Sequence, residues 1–182
     1  MTTQFTVAAR NAALDAIETQ LGVSPTMVFR SGTPPVDAAA AATGAVLATI
    51  ALPSDWLANA SSGAKLLSGT WQDLAADATG QATYYRIIGA GTVQGLISDP
   101  YQASKAYPAG AQVHTGGNIY RVSVAGTTGA ASPPTGTGGS ITDGGVTWAW
   151  VQAGTDMTVD NASLNLGQQV NVTGYQWTIG GA

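Results

Sequence analysis

The sequence predicts a mainly β protein, with an antiparallel sandwich- or barrel-like core, one N-terminal α-helix and a small inserted β module. Only residues 7–21 repeat apolar side chains with a helical period. From residue 26 onward, runs of alternating apolar and polar residues are separated by Gly or Pro. A third segment is rich first in tyrosine and then in glycine and threonine. We therefore divide the 182 residues into a helix at 1–24, a discontinuous β core at 25–99 and 153–182, here called the frame, and an insert at 100–152.

The first element is the helix VAARNAALDAIETQL, residues 7–21. Thr6 is the expected N-cap, and Gly22 is the expected stop. Four apolar side chains share one narrow face. A helix of about four turns is marginal by itself, so this face needs a partner, either the frame or a neighbouring subunit. The residues expected to form an oligomer or shell contact are Val7, Leu14, Ile17 and Leu21.

The frame continues with short β segments. Residues 37–44 favour helix by composition but lack an apolar face, so we assign them to a loop. Trp56 and Leu57 are expected to cover the end of the sheet, and the three tryptophans Trp56, Trp71 and Trp177 are expected in the core. The predicted β segments are a strand at 26–32, a strand at 45–52, an extended segment and turn at 71–80, and a hairpin at 81–98 that turns at 89–91.

The final β segment, residues 168–181, changes phase. Val170 and Val172 lie on even positions, whereas Tyr175, Trp177 and Ile179 lie on odd ones. One extra residue at Thr173-Gly174, a β-bulge, would return both sets to the same face. The alternative is a strand buried on both faces.

The insert carries aromatic and glycine residues in one recurring pattern between Tyr107 and Trp148. By this pattern it resembles a small module found in many phage tail and virion proteins, and it is also similar to chitin-binding-like modules. A Gly/Thr/Pro-rich stretch, residues 126–145, separates its last strands, and we expect an exposed neutral loop there, ordered only by neighbours. The pattern is an aromatic, then Y-x-x-G-x-x-V, then G-x-x-Y, the loop, and a T-D-G followed by a tryptophan, which here reads TDGGVTW (142–148). It is carried by Tyr107, Gly110, Val113, Gly117, Tyr120, Asp143, Gly144 and Trp148.

The aromatic residues of the insert allow two interpretations. Trp148 and Trp150 are two residues apart and share one face of a strand, where Tyr120 could join them. If that face is exposed, the rings could stack on sugars of a host-surface glycan. If it is buried, the same rings form the core of a module that has few other large apolar residues. The candidate glycan-binding residues are Tyr107, Tyr120, Trp148 and Trp150.

The composition argues against several classes of function. Charged residues make up only 9% of the chain, against about 25% in typical domains, and the net charge is −4. The six basic residues are scattered, so we expect no direct nucleic-acid binding. No membrane span, secretion signal or disulfide is expected. So neutral a surface repels its neighbours weakly, which favours a subunit of a permanent assembly.

Candidate chemical groups are few. His114, the only histidine, lies beside a Gly-Gly turn, where a surface role is expected rather than a catalytic triad. Asp156, Asp160 and Asn161 offer hard oxygens for Ca²⁺, but turn capping suits them better. Asp73 and Asp77 look like paired carboxylates but fit a strand end and turn. We therefore predict no catalytic residue, metal or cofactor.

The frame contains the short motifs LPSDW, GTW and DMTVDN. By these motifs it resembles a family of small structural proteins of tailed phages. The similarity spans essentially the whole frame and is carried by LPSDW (52–56), GTW (69–71) and DMTVDN (156–161). It implies a non-enzymatic virion component, made in the host cytoplasm. We expect a decoration or minor capsid protein on the head, with a tail location as the alternative. The expected partners are other copies, as a trimer, and the major capsid protein. A glycan-binding adhesin is the alternative function.

Overall fold

The computed structural model describes residues 4–130, 133–154 and 157–179. It confirms the predicted fold class: one helix accompanies a large mixed sheet of twelve strands and two small two-stranded sheets. Asp156 and the predicted strand's last residues, 180 and 181, lie outside the described residues. The frame contains the helix α1 (Val7–Leu21) and the strands β1 (Thr26–Arg30), β2 (Val46–Ala51), β3 (Ala64–Leu66), β4 (Gln72–Asp73), β5 (Gly80–Gln81), β6 (Tyr84–Ile88), β7 (Thr92–Pro100), β14 (Met157–Val159), β15 (Ser163–Leu164) and β16 (Val170–Thr178).

The helix begins and ends where its capping residues predict. The Thr6 hydroxyl accepts a hydrogen bond from the Ala9 amide at 3.2 Å, which satisfies one of the free N–H groups of the first turn. At the other end Gly22 has a φ of 87°, and its amide donates to the Glu18 carbonyl. A residue with a Cβ adopts that φ only at a cost, so glycine suits the stop.

The hairpin and the loop of the frame are confirmed. Strands β6 and β7 pair antiparallel from Ile88 with Thr92, so the chain turns at 89–91. The loop at 37–44 is held against the sheet by Arg86, a buried side chain whose Nη2 donates to the Ala40 carbonyl at 2.7 Å. The predicted strands at 26–32 and 45–52 are present as the shorter β1 and β2, while 71–80 is in strand at β4 and at its last residue, where β5 begins.

The bulge in the last strand is also confirmed. Thr158 pairs with Gly174, but the next residue, Val159, pairs with Val172, which leaves Thr173 as the extra residue. Val172 is therefore buried on the same side as Tyr175 despite the change of parity.

The insert continues the same sheet. Strand β7 runs out of the frame and pairs in parallel with β14 at Ile97 and with β9 (Gln112–Thr115) at Asp99, two pairings that the sequence did not predict. The strands of the insert are β8 (Ala106–Tyr107), β9 (Gln112–Thr115), β10 (Asn118–Val124), β11 (Gly126–Thr127), β12 (Ile141–Asp143) and β13 (Val146–Ala153).

Two separate apolar cores lie along this sheet. The frame core is built around an aromatic cluster in which Trp56 contacts Trp71 and Trp177, with ring centroids 5.8 and 5.5 Å apart. The core of the insert is smaller and centres on Trp148 and Tyr120. The three tryptophans expected in the frame core are found there, with Trp177 partly buried at its margin.

Candidate functional site

The carboxylate of Asp143 organises the interior of the insert. Asp143 is buried, and its Oδ1 accepts a hydrogen bond from the Gly129 amide at 2.7 Å. Its Oδ2 accepts from the Tyr101 hydroxyl at 2.9 Å and from Trp148 Nε1 at 3.3 Å. The segment TDGGVTW (142–148) therefore has a structural basis: the aspartate and the tryptophan, five residues apart, bond to each other across the β12–β13 turn.

The glycine-rich loop is tied to the insert at both ends. Thr128 is buried, and its hydroxyl donates to the Gln102 carbonyl at 2.9 Å. Farther along, the carbonyl of Gly136 accepts from the Tyr120 hydroxyl at 3.0 Å, and that of Gly138 accepts from the Trp150 amide at 3.0 Å. The expectation of a loop ordered only by neighbours is therefore wrong for these anchor points, because the loop's own module binds them.

Three of the four candidate glycan-binding rings are inside this module. Tyr107, Tyr120 and Trp148 are 4%, 1% and 0% exposed. The rings of Tyr107 and Trp148 meet edge to face, with centroids 5.3 Å apart. A ring must present an open face to stack on a sugar, so the glycan interpretation is wrong for these three residues and they serve as core. Trp150 is half-buried and donates its indole N–H to Asn118 Oδ1 at 3.0 Å.

Burial also controls the protonation of the tyrosines in this core. Loss of solvent raises the pKa of Tyr107, and it raises the pKa of Tyr101 with a further contribution from the neighbouring Asp143 carboxylate. Both hydroxyls therefore remain protonated at neutral pH. The Tyr107 hydroxyl accepts a hydrogen bond from the Gln102 amide at 3.0 Å, and the protonated Tyr101 hydroxyl donates to Asp143.

The four apolar residues of the helix divide into two pairs. Leu14 and Leu21 are 1% and 3% exposed, so they belong to the protein's own interior and the prediction that they contact another subunit is wrong. Val7 and Ile17 are 47% and 41% exposed and lie on the outer side. The reason is that the helix docks on the frame through a narrow seam rather than through the whole predicted face.

A buried lysine of the frame forms ion pairs with the helix. Lys65 of β3 is 2% exposed, and its ammonium lies 2.6 Å from Asp15 Oδ1 and 2.5 Å from Glu18 Oε2 on the helix. Desolvation opposes the charge on Lys65, but the hydrogen bonds and attraction of the two carboxylates outweigh it and raise the pKa of the lysine. The Lys65 hydrogen bond in turn lowers the pKa of Asp15. The spacing i, i+3 of the two acids was visible in the sequence, but their distant partner was not.

The only histidine lies at the seam between frame and insert. His114 Nδ1 is 3.1 Å from the Ser98 hydroxyl, and Ser98 is completely buried. The neighbouring Asp99 is directed elsewhere: its Oδ1 accepts from the Ala162 amide at 2.9 Å. Burial raises the pKa of Asp99. The serine and aspartate are therefore on different sides of one strand, and no line of hydrogen bonds joins all three as a nucleophilic triad requires.

The candidate carboxylate groups act as caps. Asp73 Oδ2 accepts from the Thr49 amide at 2.9 Å, and Asp77 Oδ2 accepts from the Thr49 hydroxyl at 2.8 Å, which blocks part of the outer edge of β2. Asp160 Oδ2 accepts from the Asn171 side chain at 2.7 Å. Within the described ranges, no three His, Cys, Asp or Glu side chains converge as a metal site.

Comparison with family models, with curated proteins and with solved structures finds no significant match for this chain. Among the described residues, no helix has the length and apolar character needed to cross a membrane. The functional argument therefore depends on the geometry and surface of the protein itself.

Proposed function

We propose that the protein is a non-enzymatic structural component of a tailed-phage virion, a decoration or minor capsid protein on the head. In this proposal copies associate through the outer side of the helix, as a trimer, and the frame contacts the major capsid protein. The insert projects from the assembly. The observation that carries the proposal is an unusually neutral surface combined with exposed apolar side chains around the helix.

The surface of the folded protein carries few charges. Only 9% of the residues are charged, and several of these are removed from the surface by folding. Few charges then remain to keep neighbouring copies apart in solution, a property that is costly for a free monomer and harmless in a permanent assembly. The charged side chains buried inside the protein are Lys65, Arg86, Asp99 and Asp143.

Exposed apolar residues gather around the helix. Phe5 and Val7 lie at its start, Ile17 lies in its third turn, and Val23 follows its end with 80% of its side chain exposed. Ile88, 44% exposed, precedes the hairpin turn that touches the end of the helix, where the Ala90 amide donates to the Leu21 carbonyl at 3.2 Å. Several exposed apolar side chains near one element are what a subunit contact would cover.

The experiment is a measurement of mass in solution. Sedimentation velocity of the purified chain across a range of concentrations should detect an oligomer, with the mass of a trimer. The double variant Val7→Gln, Ile17→Gln should shift the species to a monomer without loss of folding, because both side chains are already about half exposed. Val124→Gln is the matched control, since Val124 is 56% exposed but lies on the insert.

Two results would contradict the proposed assembly. One is a wild-type chain that sediments as a monomer at every concentration. The other is an oligomer that survives the helix double variant but dissociates in the Val124 control, which would move the contact to the insert. Antibody labelling of purified particles separates a head location from a tail location.

A further inference from the structure

A small polar cleft lies at the seam between frame and insert. Its volume is about 250 Å³, below the range of about 300–1,000 Å³ that is usual for drug-sized ligands. One wall is the connection after β1, residues 31–33, and another is the turn before β9 at Gly110. Thr83 of the frame and Arg121 of β10 complete it. A cleft of this size accepts one sugar-sized ligand or one side chain.

Arg121 is the only charged residue that lines the cleft, and it has unused donors. A guanidinium carries five N–H donors in a planar fork. The structure gives Arg121 one side-chain contact, from its Nη2 to Gln112 Oε1 at the long distance of 3.5 Å. Across the described ranges, no carboxylate lies within ion-pair distance of Arg121, since the ion pairs found there all involve Lys65.

Hydrogen bonds fix the walls of the cleft in place. Gln112 is 1% exposed, and its side-chain amide donates to the Thr83 and Ile97 carbonyls, so it fixes the insert to the frame directly behind Arg121. The Thr83 hydroxyl donates to the Gly32 carbonyl, which holds the opposite wall. The site is therefore preorganised: a ligand would not have to order the loops that surround the guanidinium.

We propose that this cleft binds a carboxylate group through Arg121. A planar carboxylate matches the guanidinium fork and can accept two parallel hydrogen bonds. The hydroxyls of Ser31 and Thr33 and the amide of Gln81 surround this position and suit the hydroxyl groups of an acidic sugar. An aspartate or glutamate of a second copy presents the same carboxylate, and the chain has ten acidic residues against six basic ones.

The first experiment titrates the isotope-labelled full-length protein with sodium glucuronate and records amide and arginine Nε–H shifts by NMR. Glucose and sodium chloride at equal concentrations are the ligand controls. We expect saturable shifts at residues 31–33, Gly110 and Arg121 with glucuronate alone. Arg121→Gln should weaken binding by about tenfold or more, because a charge-assisted bidentate contact is lost. Arg121→Lys should give an intermediate affinity, since it retains the charge without the fork.

Lys105→Gln is the matched control variant. It removes one positive charge from the insert at a side chain that lies over the Tyr107 ring, outside the cleft. Its binding of glucuronate should equal that of the wild type. Thermal unfolding of every variant establishes that folding is unchanged, which is expected because the Arg121 side chain makes only the long contact to Gln112.

The second experiment identifies the source of the carboxylate. If a second copy supplies it, Arg121→Gln weakens self-association in sedimentation velocity, whereas Lys105→Gln does not. If a free acidic ligand supplies it, self-association is unchanged and the glucuronate shifts are lost in Arg121→Gln. The inference is overturned if glucuronate produces no more change than sodium chloride and self-association is also unaffected, or if Arg121→Gln binds as the wild type does. The glucuronate titration does not depend on the proposed virion role.

Discussion

Replacement of Asp143 by alanine should destabilise the insert while leaving the frame folded. The side chain is buried and accepts hydrogen bonds from Gly129, Tyr101 and Trp148. Alanine would leave the fully buried Trp148 N–H without its partner and would release the anchored start of the glycine-rich loop. Hydrogen bonds to a charged group contribute about 1.5–3 kcal/mol each, but removing the buried charge offsets part of the loss. We expect the insert to lose about 3 kcal/mol in total.

The assay for this prediction is hydrogen exchange with site resolution, because the two apolar cores are separate. Protection should fall at the Gly129 amide of the loop and in β13 of the Asp143→Ala variant, including the Trp150 amide that donates to the Gly138 carbonyl, and it should persist in β1 and β6. Asp143→Asn should lose less, since its Oδ1 can still accept from Gly129 while its amide faces the Trp148 donor. Asp55→Ala is the control, because Asp55 is exposed. Unchanged exchange in the loop of Asp143→Ala would refute the anchoring role of this carboxylate.

Three further predictions concern the frame. Neutralising both Asp15 and Glu18, the carboxylate partners of Lys65, should lower the melting temperature more than Lys65→Met does. The double change leaves a buried ammonium unpaired, whereas Lys65→Met removes the charge itself. Equal losses of melting temperature in the two variants would contradict this. Burial raises the pKa of Asp99 above 3.8, so its folded form binds a proton more readily than its unfolded form. The free energy of unfolding of the wild type, relative to that of Asp99→Asn, should therefore be highest below about pH 4 and should fall as the pH rises through the raised pKa. Denaturation curves of the two proteins, recorded in parallel over this pH range, test this. Gly89→Ala should cost about 1–3 kcal/mol, because its Cβ would lie 1.9 Å from the Leu21 carbonyl oxygen, whereas Gly91→Ala meets only Gln20 at 3.9 Å and should be nearly neutral in thermal unfolding.

The elements that the sequence predicted well are those with a local cause. Thr6 and Gly22 define the helix by chemistry within its own first and last turns. The bulge at Thr173 follows from a change of parity that can be read along a single strand. The turn at 89–91 also has a local cause, since its glycines separate two β segments that pair with each other.

The elements that it missed depend on contacts between distant residues. The parallel pairing of β7 with β9 and β14 joins the frame to the insert, and no periodicity within β7 reveals its neighbours. Lys65 lies in a short strand that has no distinctive pattern, and its burial depends on two acids about fifty residues earlier.

The candidate site was the hardest to predict. The aromatic pattern of the insert was recognised, but periodicity cannot show which face a loop covers. Tyr120 is buried, and its hydroxyl donates to the Gly136 carbonyl of the glycine-rich loop. The composition of that loop had indicated an exposed segment. Arg121 was noted only as one of the scattered basic residues, because its cleft is formed by segments that lie far apart in the sequence.

The most direct test of the virion proposal is an electron cryomicroscopy map of the particles produced by the genome that encodes this chain. The proposal predicts density for the whole fold on the head, clustered as a trimer at a symmetry axis, with Val7 and Ile17 within the subunit contacts and the insert pointing outward. Particles that lack the chain, or that carry it only on the tail with the helix exposed to solvent, would contradict it.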